Sequence, residues 1–305
     1  MRATARKLRA GQRDRGTIGL LYISPWIIGF LVFQIYPLAS SLFYSFTTYS
    51  LLGAPRLVGF RNYVHMLSRD VYFWRSLVIT LRYVLFSVPL KLAFALLIAV
   101  VLNMKLRAIN VFRTAYYIPS ILGGSVALSI MWRFLFMKEG YANFVLSLVG
   151  MGPVDFLGSP QFALGTLVAL EVWQFGSSMV IFLAGLKQVP VELVESSRID
   201  GANRLQSFLH ITLPFITPLI FFNVVMQMVI EFQNFTPAFI ITRGGPVNAT
   251  RLFVLHIYEN GFSYLKMGYA SALSWVLFVL LFLFTLAVFK SSPYWTYYED
   301  AGNFR

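Results

Sequence analysis

The chain has 305 residues, of which 58% are hydrophobic, only 12% are charged and none is cysteine. Soluble globular domains carry roughly 25% charged residues, so this composition excludes a soluble protein and favours one polytopic membrane unit. The missing cysteines also exclude disulfides and thiolate metal sites. The net charge of +13 raises nucleic-acid binding as an alternative. Nucleic-acid binding is a weak alternative, because no soluble domain follows the basic segment that would bind the nucleic acid.

Positive charge is concentrated in residues 1–17, before the first apolar run. The single acid of this segment is Asp14, and its basic residues are Arg2, Arg6, Lys7, Arg9, Arg13 and Arg15. A basic segment beside a membrane span stays in the cytoplasm by the positive-inside rule. We therefore predict that residues 1–17 are a cytoplasmic tail. An even number of spans then makes the C-terminal tail, residues 291–305, cytoplasmic as well.

Six apolar runs predict an all-α membrane protein with six transmembrane helices. In chain order the runs cover about residues 18–46, 77–102, 111–137, 162–186, 214–238 and 269–289, and about 20 residues suffice to cross a bilayer. We assign residues 18–75 to the first span with an external loop, and residues 76–290 to a transmembrane core. Residues 138–161 are predicted to be a polar external loop. Residues 239–268 are predicted to be another, with a short helix at about 252–258.

One charged residue, Lys91, lies inside the second apolar run, two residues after Pro89. Intramembrane charge is costly and usually faces protein or water rather than lipid. A proline in a helix frees a backbone carbonyl. We therefore predict that Lys91 reaches such a carbonyl, in a structural role rather than a solute-binding one.

A polar segment, residues 188–214, separates the fourth and fifth runs. Pro190 suits a helix start, and Glu192 and Glu195 follow it where the helix dipole favours negative charge. Gly201 indicates a break, because glycine tolerates the backbone angles that end a helix. A second short helix is predicted over about residues 203–211, and Pro214 marks the entry to the next run. Two short amphipathic helices joined at a bend form a projecting surface to which another protein can bind.

This segment resembles the cytoplasmic signature loop of ABC importer permeases. The family pattern is Glu-Ala-Ala, three residues and Gly, with a later Leu-Pro; here serines replace both alanines. Residues 242–246, Thr-Arg-Gly-Gly-Pro, are similar to an external loop of the sugar-type subgroup, the maltose/glycerol-3-phosphate permease family. The resemblance implies a type I ABC importer permease fold with cytoplasmic coupling helices. The residues it assigns to ATPase coupling are Glu192, Glu195, Ser196, Ser197, Asp200, Gly201, Ala202, Phe208, Leu213 and Pro214.

The same resemblance implies a permease subunit that translocates a carbohydrate delivered by an external solute-binding protein. Its other implied partners are a second homologous permease subunit and two ATP-binding cassette subunits, all at the cell (inner) membrane. It implies no catalysis, cofactor or metal in this chain, since the ATPase subunits bind ATP and Mg²⁺. The sequence agrees, because it lacks a Gly-x-x-x-x-Gly-Lys-Ser/Thr phosphate loop and its three histidines are scattered.

Two predicted spans carry polar residues at helical spacing, which places them on one helix face. The fourth has Glu171, Gln174 and Ser178, and the fifth has Asn223, Gln227, Glu231 and Asn234. One interpretation is hydrogen bonding between helices. The other is a hydrophilic path for a hydroxyl-rich solute. On that interpretation the substrate-path residues are Glu171, Trp173, Gln174, Asn223, Gln227, Glu231 and Asn234.

Two other classes of protein stay open at this point. A secondary transporter driven by an ion gradient would show inverted repeats, and we find none between the two halves of the sequence. An intramembrane enzyme would need a nucleophile beside Glu171 or Glu231, the only deep acids, and no partner is evident in the sequence.

Overall fold

The computed structural model describes residues 19, 21–104 and 109–297, so the predicted tail at residues 1–17 lies outside the described residues. In the described part the regular secondary structure is helical, apart from two isolated β-bridges. Short π-helical turns lie at Leu31–Ile35, Phe208–Thr212, Ala238–Thr242 and Glu259–Ser263. The helices are α1 (Leu21–Ser45), α2 (Arg61–Ser68), α3 (Val71–Leu102), α4 (Ile109–Ile121), α5 (Val126–Phe136), α6 (Tyr141–Leu148), α7 (Pro160–Trp173), α8 (Gly176–Leu186), α9 (Val191–Ile199), α10 (Arg204–Phe232), α11 (Phe253–Tyr258) and α12 (Met267–Trp295).

Four described helices, α1, α3, α10 and α12, are long and apolar enough to cross a membrane. Two bent sets of helices pass the same criterion. The chain turns by 100° between α4 and the α5–α6 segment, and by 44° between α7 and α8. If each bent set is one span, the described chain has six spans, in agreement with the predicted number.

The described residues form two compact units, and each is described by itself. One contains residues 21–66 and Asn260–Trp275. In this unit Asn62 Nδ2 donates to the carbonyls of Ser45 at 2.7 Å and Thr47 at 2.9 Å, and the Tyr63 hydroxyl donates to Ser45 Oγ at 2.8 Å. These bonds satisfy carbonyls that the end of α1 leaves unpaired.

In the other unit, residues 67–259 and 276–297, α3 is the central helix and packs against α7, α8 and α10. It begins at Asp70, whose carboxylate accepts from the backbone N–H groups of Tyr72 and Phe73 at 2.9 and 3.2 Å, a side-chain N-cap. Its buried face is mostly apolar, and it also carries Lys91, which is only 5% exposed. A charge at this position requires partners from the neighbouring helices.

Three sequence-based assignments are wrong, and some span ends are shifted: α3 begins at Val71 rather than near residue 77, α10 ends at Phe232 rather than near residue 238, and α12 ends at Trp295 rather than near residue 289. The third predicted span is broken at residues 122–125, because Gly124 adopts φ +74°, an angle that glycine tolerates and other residues rarely adopt. The predicted polar loop at 138–161 contains helix α6. The fifth span starts at Arg204 rather than near Pro214, because the π-helical turn Phe208–Thr212 precedes the proline and lets the helix continue without its missing N–H.

Candidate functional site

The polar segment 188–214 folds as one short helix followed by the start of a long one. Helix α9 begins after Pro190 and ends at Ile199, Asp200 caps it, and Gly201 adopts φ +86°. Asn203 and Gln206 then form a capping box: Asn203 Oδ1 accepts from the Gln206 N–H at 2.9 Å, and Gln206 Oε1 accepts from the Asn203 N–H at 2.8 Å. The break at Gly201 is confirmed. The separate second helix is not, because that stretch is the first part of α10.

A hydroxyl contact joins the two arms of this coupling hairpin, the name used below for residues 188–214. Ser197 Oγ lies 3.0 Å from Ser207 Oγ and also donates to the Val194 carbonyl at 2.8 Å. Ser197 is one of the two serines that replace the family's alanines. The substitution therefore adds a polar link between α9 and α10 at a position that still holds a small side chain.

The coupling hairpin exposes both apolar and acidic side chains. Ile199 is 87% exposed. Among the predicted coupling residues, Glu192, Glu195, Ser196, Asp200 and Gly201 are exposed, and Ser197, Ala202, Phe208, Leu213 and Pro214 are partly buried. The further apolar side chains on this surface are Val191, Leu193, Leu205 and Leu209. The hairpin also exposes Arg198 and Arg204, so its apolar side chains are surrounded by charges of both signs, an arrangement that suits a partner with an apolar groove and a charged rim.

A buried charge cluster joins three helices of the core. Lys91 Nζ on α3 donates to Glu231 Oε1 on α10 at 3.1 Å and to Glu171 Oε2 on α7 at 3.5 Å. Asn234 Nδ2 lies 2.7 Å from Glu171 Oε1, 2.9 Å from the Tyr83 hydroxyl and 3.3 Å from Glu231 Oε2. Our prediction for Lys91 is wrong in its partner: the side chain pairs with two carboxylates, since these offset its charge better than a neutral carbonyl.

The remaining residues of the two polar stripes also lie inside the subunit. Gln227 Nε2 donates to Ser178 Oγ at 3.2 Å, which links α10 to α8, and Asn223 Nδ2 donates to the Leu219 carbonyl on its own helix at 2.9 Å. The Trp173 ring packs on Trp132 at a centroid distance of 5.7 Å. Of these contacts, the Gln227–Ser178 bond supports the interpretation of hydrogen bonding between helices. The solute-path interpretation stays a proposal.

The breaks in the two bent sets of helices face each other. Ser120 Oγ, just before the first break, donates to the Gln174 carbonyl at 2.9 Å and accepts from the Ser177 N–H at 3.1 Å. A methyl group at Gly123 would overlap Gln174 Oε1, so a larger residue there would require the Gln174 side chain to move. Among the described residues, the N–H groups of Gly123 and Gly124 have no hydrogen-bond acceptor, and both glycines are exposed. The break was not predicted from the sequence.

The loop after α10 is held on the first turns of α3. His256 Nε2, on α11, lies 2.9 Å from Asp70 Oδ2, and the Phe253 N–H donates to Thr80 Oγ1 at 2.8 Å. Arg251 forms an ion pair with Glu259 and lies over the Tyr72 ring at 4.3 Å. Sequence reasoning predicted helix α11 but missed the contacts of His256 with Asp70 and of Phe253 with Thr80, because these partners are more than 170 residues apart.

Burial sets the direction of both shifted pKa values in this loop. It lowers the pKa of His256 from 6.5, against the opposing effect of Asp70, and Arg251 lowers it further. Burial also raises the pKa of the Glu259 carboxyl, although Arg251 acts in the other direction. His256 is therefore favoured in its neutral form at neutral pH.

Comparison with known proteins agrees with this architecture. Residues 73–292 match the family described as the binding-protein-dependent transport system inner membrane component. The chain is 49% identical over 301 residues to the probable ABC transporter permease protein YesP of Bacillus subtilis, covering 98% of this chain and 97% of the relative. It is 32% identical to the arabinooligosaccharides transport system permease protein AraP of the same organism, covering 89% and 87%.

A crystal structure of a bacterial ABC transporter for import of the acidic polysaccharide alginate contains a chain with the same fold. Its TM-score is 0.76 at 22% identity, and the match covers 96% of this chain and 100% of that one. The chain therefore belongs to the family of binding-protein-dependent transport system inner-membrane components, as a multi-pass permease subunit of an ABC importer. Membership of this family favours an importer over the secondary-transporter and enzyme alternatives.

Proposed function

We propose that this permease moves a carbohydrate, and that the coupling hairpin connects its helices to an ATPase subunit. ATP and Mg²⁺ are bound by two partner ATPase subunits, and a second, similar permease supplies the other half of the path. An external binding protein delivers the solute. The N- and C-terminal tails and the coupling hairpin lie in the cytoplasm, where ATP is available.

One observation carries the coupling role: a left-handed glycine joins a short exposed helix to the start of a helix that crosses the membrane. Because α10 is continuous from Arg204 to Phe232, a force on the hairpin is transmitted along one rigid element. ATP binding at the partner supplies the free energy that shifts the helices between two arrangements. The permease itself then needs only to move between those arrangements.

The carbohydrate assignment rests on the relatives and on the polarity of the core. The relative AraP is named for arabinooligosaccharides. Unpaired backbone N–H groups at membrane depth are tolerated only where they face protein or a water-filled path, so we place the solute path along the break at Gly123 and Gly124. Hydroxyl groups of a sugar are suitable acceptors for these N–H groups. The neighbouring Trp173 supplies an apolar ring face, and Gln174 supplies an amide.

The substitution Gly201→Val tests the coupling role. No atom lies within 4 Å of a Cβ added at Gly201, and the left-handed backbone angle disfavours any residue with a Cβ by about 1–2 kcal/mol. The matched control is Gly150→Val, because Gly150 has φ +76° and equally open surroundings but lies outside the hairpin. Both variants are reconstituted in liposomes with the partner subunits and the binding protein.

Uptake of radiolabelled arabinooligosaccharides, with maltose as a second carbohydrate, is then measured together with ATP hydrolysis. We expect Gly201→Val to lose ATP-dependent uptake while the complex still assembles, and Gly150→Val to retain it. Equal uptake by the two variants would contradict the coupling role. Uptake of neither sugar by the wild type or by either variant, with ATP hydrolysis intact, would instead count against the choice of carbohydrate.

A further inference from the structure

The side-chain charges of the cluster of Lys91, Glu171 and Glu231 do not sum to zero if all three residues are ionised. Two carboxylates and one ammonium group give a net charge of −1, and the three side chains have at most 6% of their surface exposed. An uncompensated charge in such surroundings costs several kcal/mol in general, and buried groups avoid that cost by changing protonation. The cluster therefore lacks one positive charge.

The ends of two helices make the surroundings of the cluster still more negative. Glu171 lies in the last turn of α7, which ends at Trp173, and Glu231 lies in the last turn of α10, which ends at Phe232. The carboxyl end of a helix carries a partial negative charge and favours cations. Lys91 suits this position, whereas two ionised glutamates oppose the field of both helices.

One hydrogen-bond donor is shared among the oxygens of the cluster. Asn234 Nδ2 has two hydrogens and lies within 3.3 Å of three oxygens, on Tyr83, Glu171 and Glu231. The Tyr83 hydroxyl is also within hydrogen-bonding reach of both carboxyl groups. A proton on one carboxyl adds a donor between the two glutamates and removes the uncompensated charge.

We propose that the cluster binds one proton, shared between Glu171 and Glu231, and that this proton holds α3, α7 and α10 together. Proton uptake converts one carboxylate to a carboxylic acid and leaves a neutral cluster of one ammonium, one carboxylate and one acid. The titratable groups that face this proton are Tyr83 and Lys91 from α3, Glu171 from α7 and Glu231 from α10. The proposal does not depend on which solute is carried.

Infrared spectroscopy of the importer complex at neutral pH tests the proposal directly, since a protonated carboxyl has its own C=O stretching band. The variants Glu171→Gln and Glu231→Gln each keep the shape of a protonated carboxyl but bind no proton. We expect the wild-type spectrum to contain the band of one protonated carboxyl that both variants lose. Identical spectra in that region for the wild type and both variants would overturn the proposal.

The pH dependence of thermal stability provides a second readout that needs only one folded variant. A folded state that holds one proton more than the unfolded state loses stability as pH rises, by up to about tenfold per pH unit in the unfolding equilibrium. We expect this slope in the wild type and not in Glu231→Gln or Glu171→Gln. If the wild type and whichever variant folds show the same slope, the two carboxylates are ionised and the proposal fails.

Discussion

Replacing Lys91 by Met removes the one cation that two buried carboxylates share. Methionine fills similar space without charge, and Glu171 and Glu231 then face each other with the neutral donors of Asn234 and Tyr83 beside them. Removing one partner from a buried ion pair costs about 3–5 kcal/mol. Lys91 is 6% exposed at its side chain and Glu231 is 0% exposed, so solvent does not screen this loss. For a protein of this size the change corresponds to a fall in Tm of about 10 °C.

The assay is thermal unfolding of the complex, followed by fluorescence of a fused reporter during size-exclusion chromatography. Arg82→Met is the matched control, because Arg82 lies on the same helix, is exposed and has no ionic or hydrogen-bonding partner among the described residues. We expect that control to change Tm by about 1–2 °C, the scale of surface substitutions. Equal shifts for the two variants would refute the reasoning.

A triple variant separates charge from packing. Combining Lys91→Met with Glu171→Gln and Glu231→Gln leaves a neutral cluster of similar volume. If unpaired charge causes the loss, the triple variant recovers most of the stability that Lys91→Met removes. A triple variant as unstable as the single one would show that Lys91 acts by packing alone.

The remaining predictions concern the loop, the hairpin and the break. Because burial lowers the pKa of His256, the unfolded state binds more protons than the folded state below pH 6.5, and the stability of the fold decreases there. We therefore expect His256→Gln to show a smaller fall in Tm on acidification than the wild type. An equal fall in Tm for the two proteins would contradict this role of His256. Asn203→Ala removes the capping box and costs about 1 kcal/mol, seen as a fall in Tm; no fall would mean that the cap contributes nothing. We expect a thiol introduced by Leu122→Cys at the break to react with a membrane-impermeant reagent during transport, and a thiol introduced by Leu85→Cys at the exposed Leu85 not to react. Equal reaction of the two thiols would place the break outside the solute path.

Hydrophobic runs and local capping residues made much of this fold predictable. The lengths of the six apolar runs and the break at Gly201 follow from the sequence itself, because they depend on hydropathy and on one glycine. The short helix α11 was likewise readable from its apolar pattern. These features depend on residues that are neighbours in the chain.

The features that were missed depend on residues far apart in the sequence. Spacing placed Glu171 and Glu231 on polar faces, but their ion pairs with Lys91 join positions 80 and 140 residues apart. The start of α10 was misplaced because Pro214 normally ends or begins a helix, and the π-helical turn before it cannot be read from residue types. The bend at Gly124 was missed for a related reason: a glycine pair permits either close packing or a turn, and tertiary contacts decide between them.

Contact between the coupling hairpin and an ATPase subunit is the most direct test of the whole account. The chain has no cysteine, so Ile199→Cys places a single thiol at the most exposed point of the hairpin's apolar surface, and a benzophenone maleimide on that thiol cross-links whatever lies beside it. A matched variant, Leu148→Cys, carries the same probe on an exposed residue at the end of α6. We predict a cross-link from position 199, and not from position 148, to the ATPase subunit in assembled complexes. A probe at 199 that labels only lipid or the external binding protein would contradict the account.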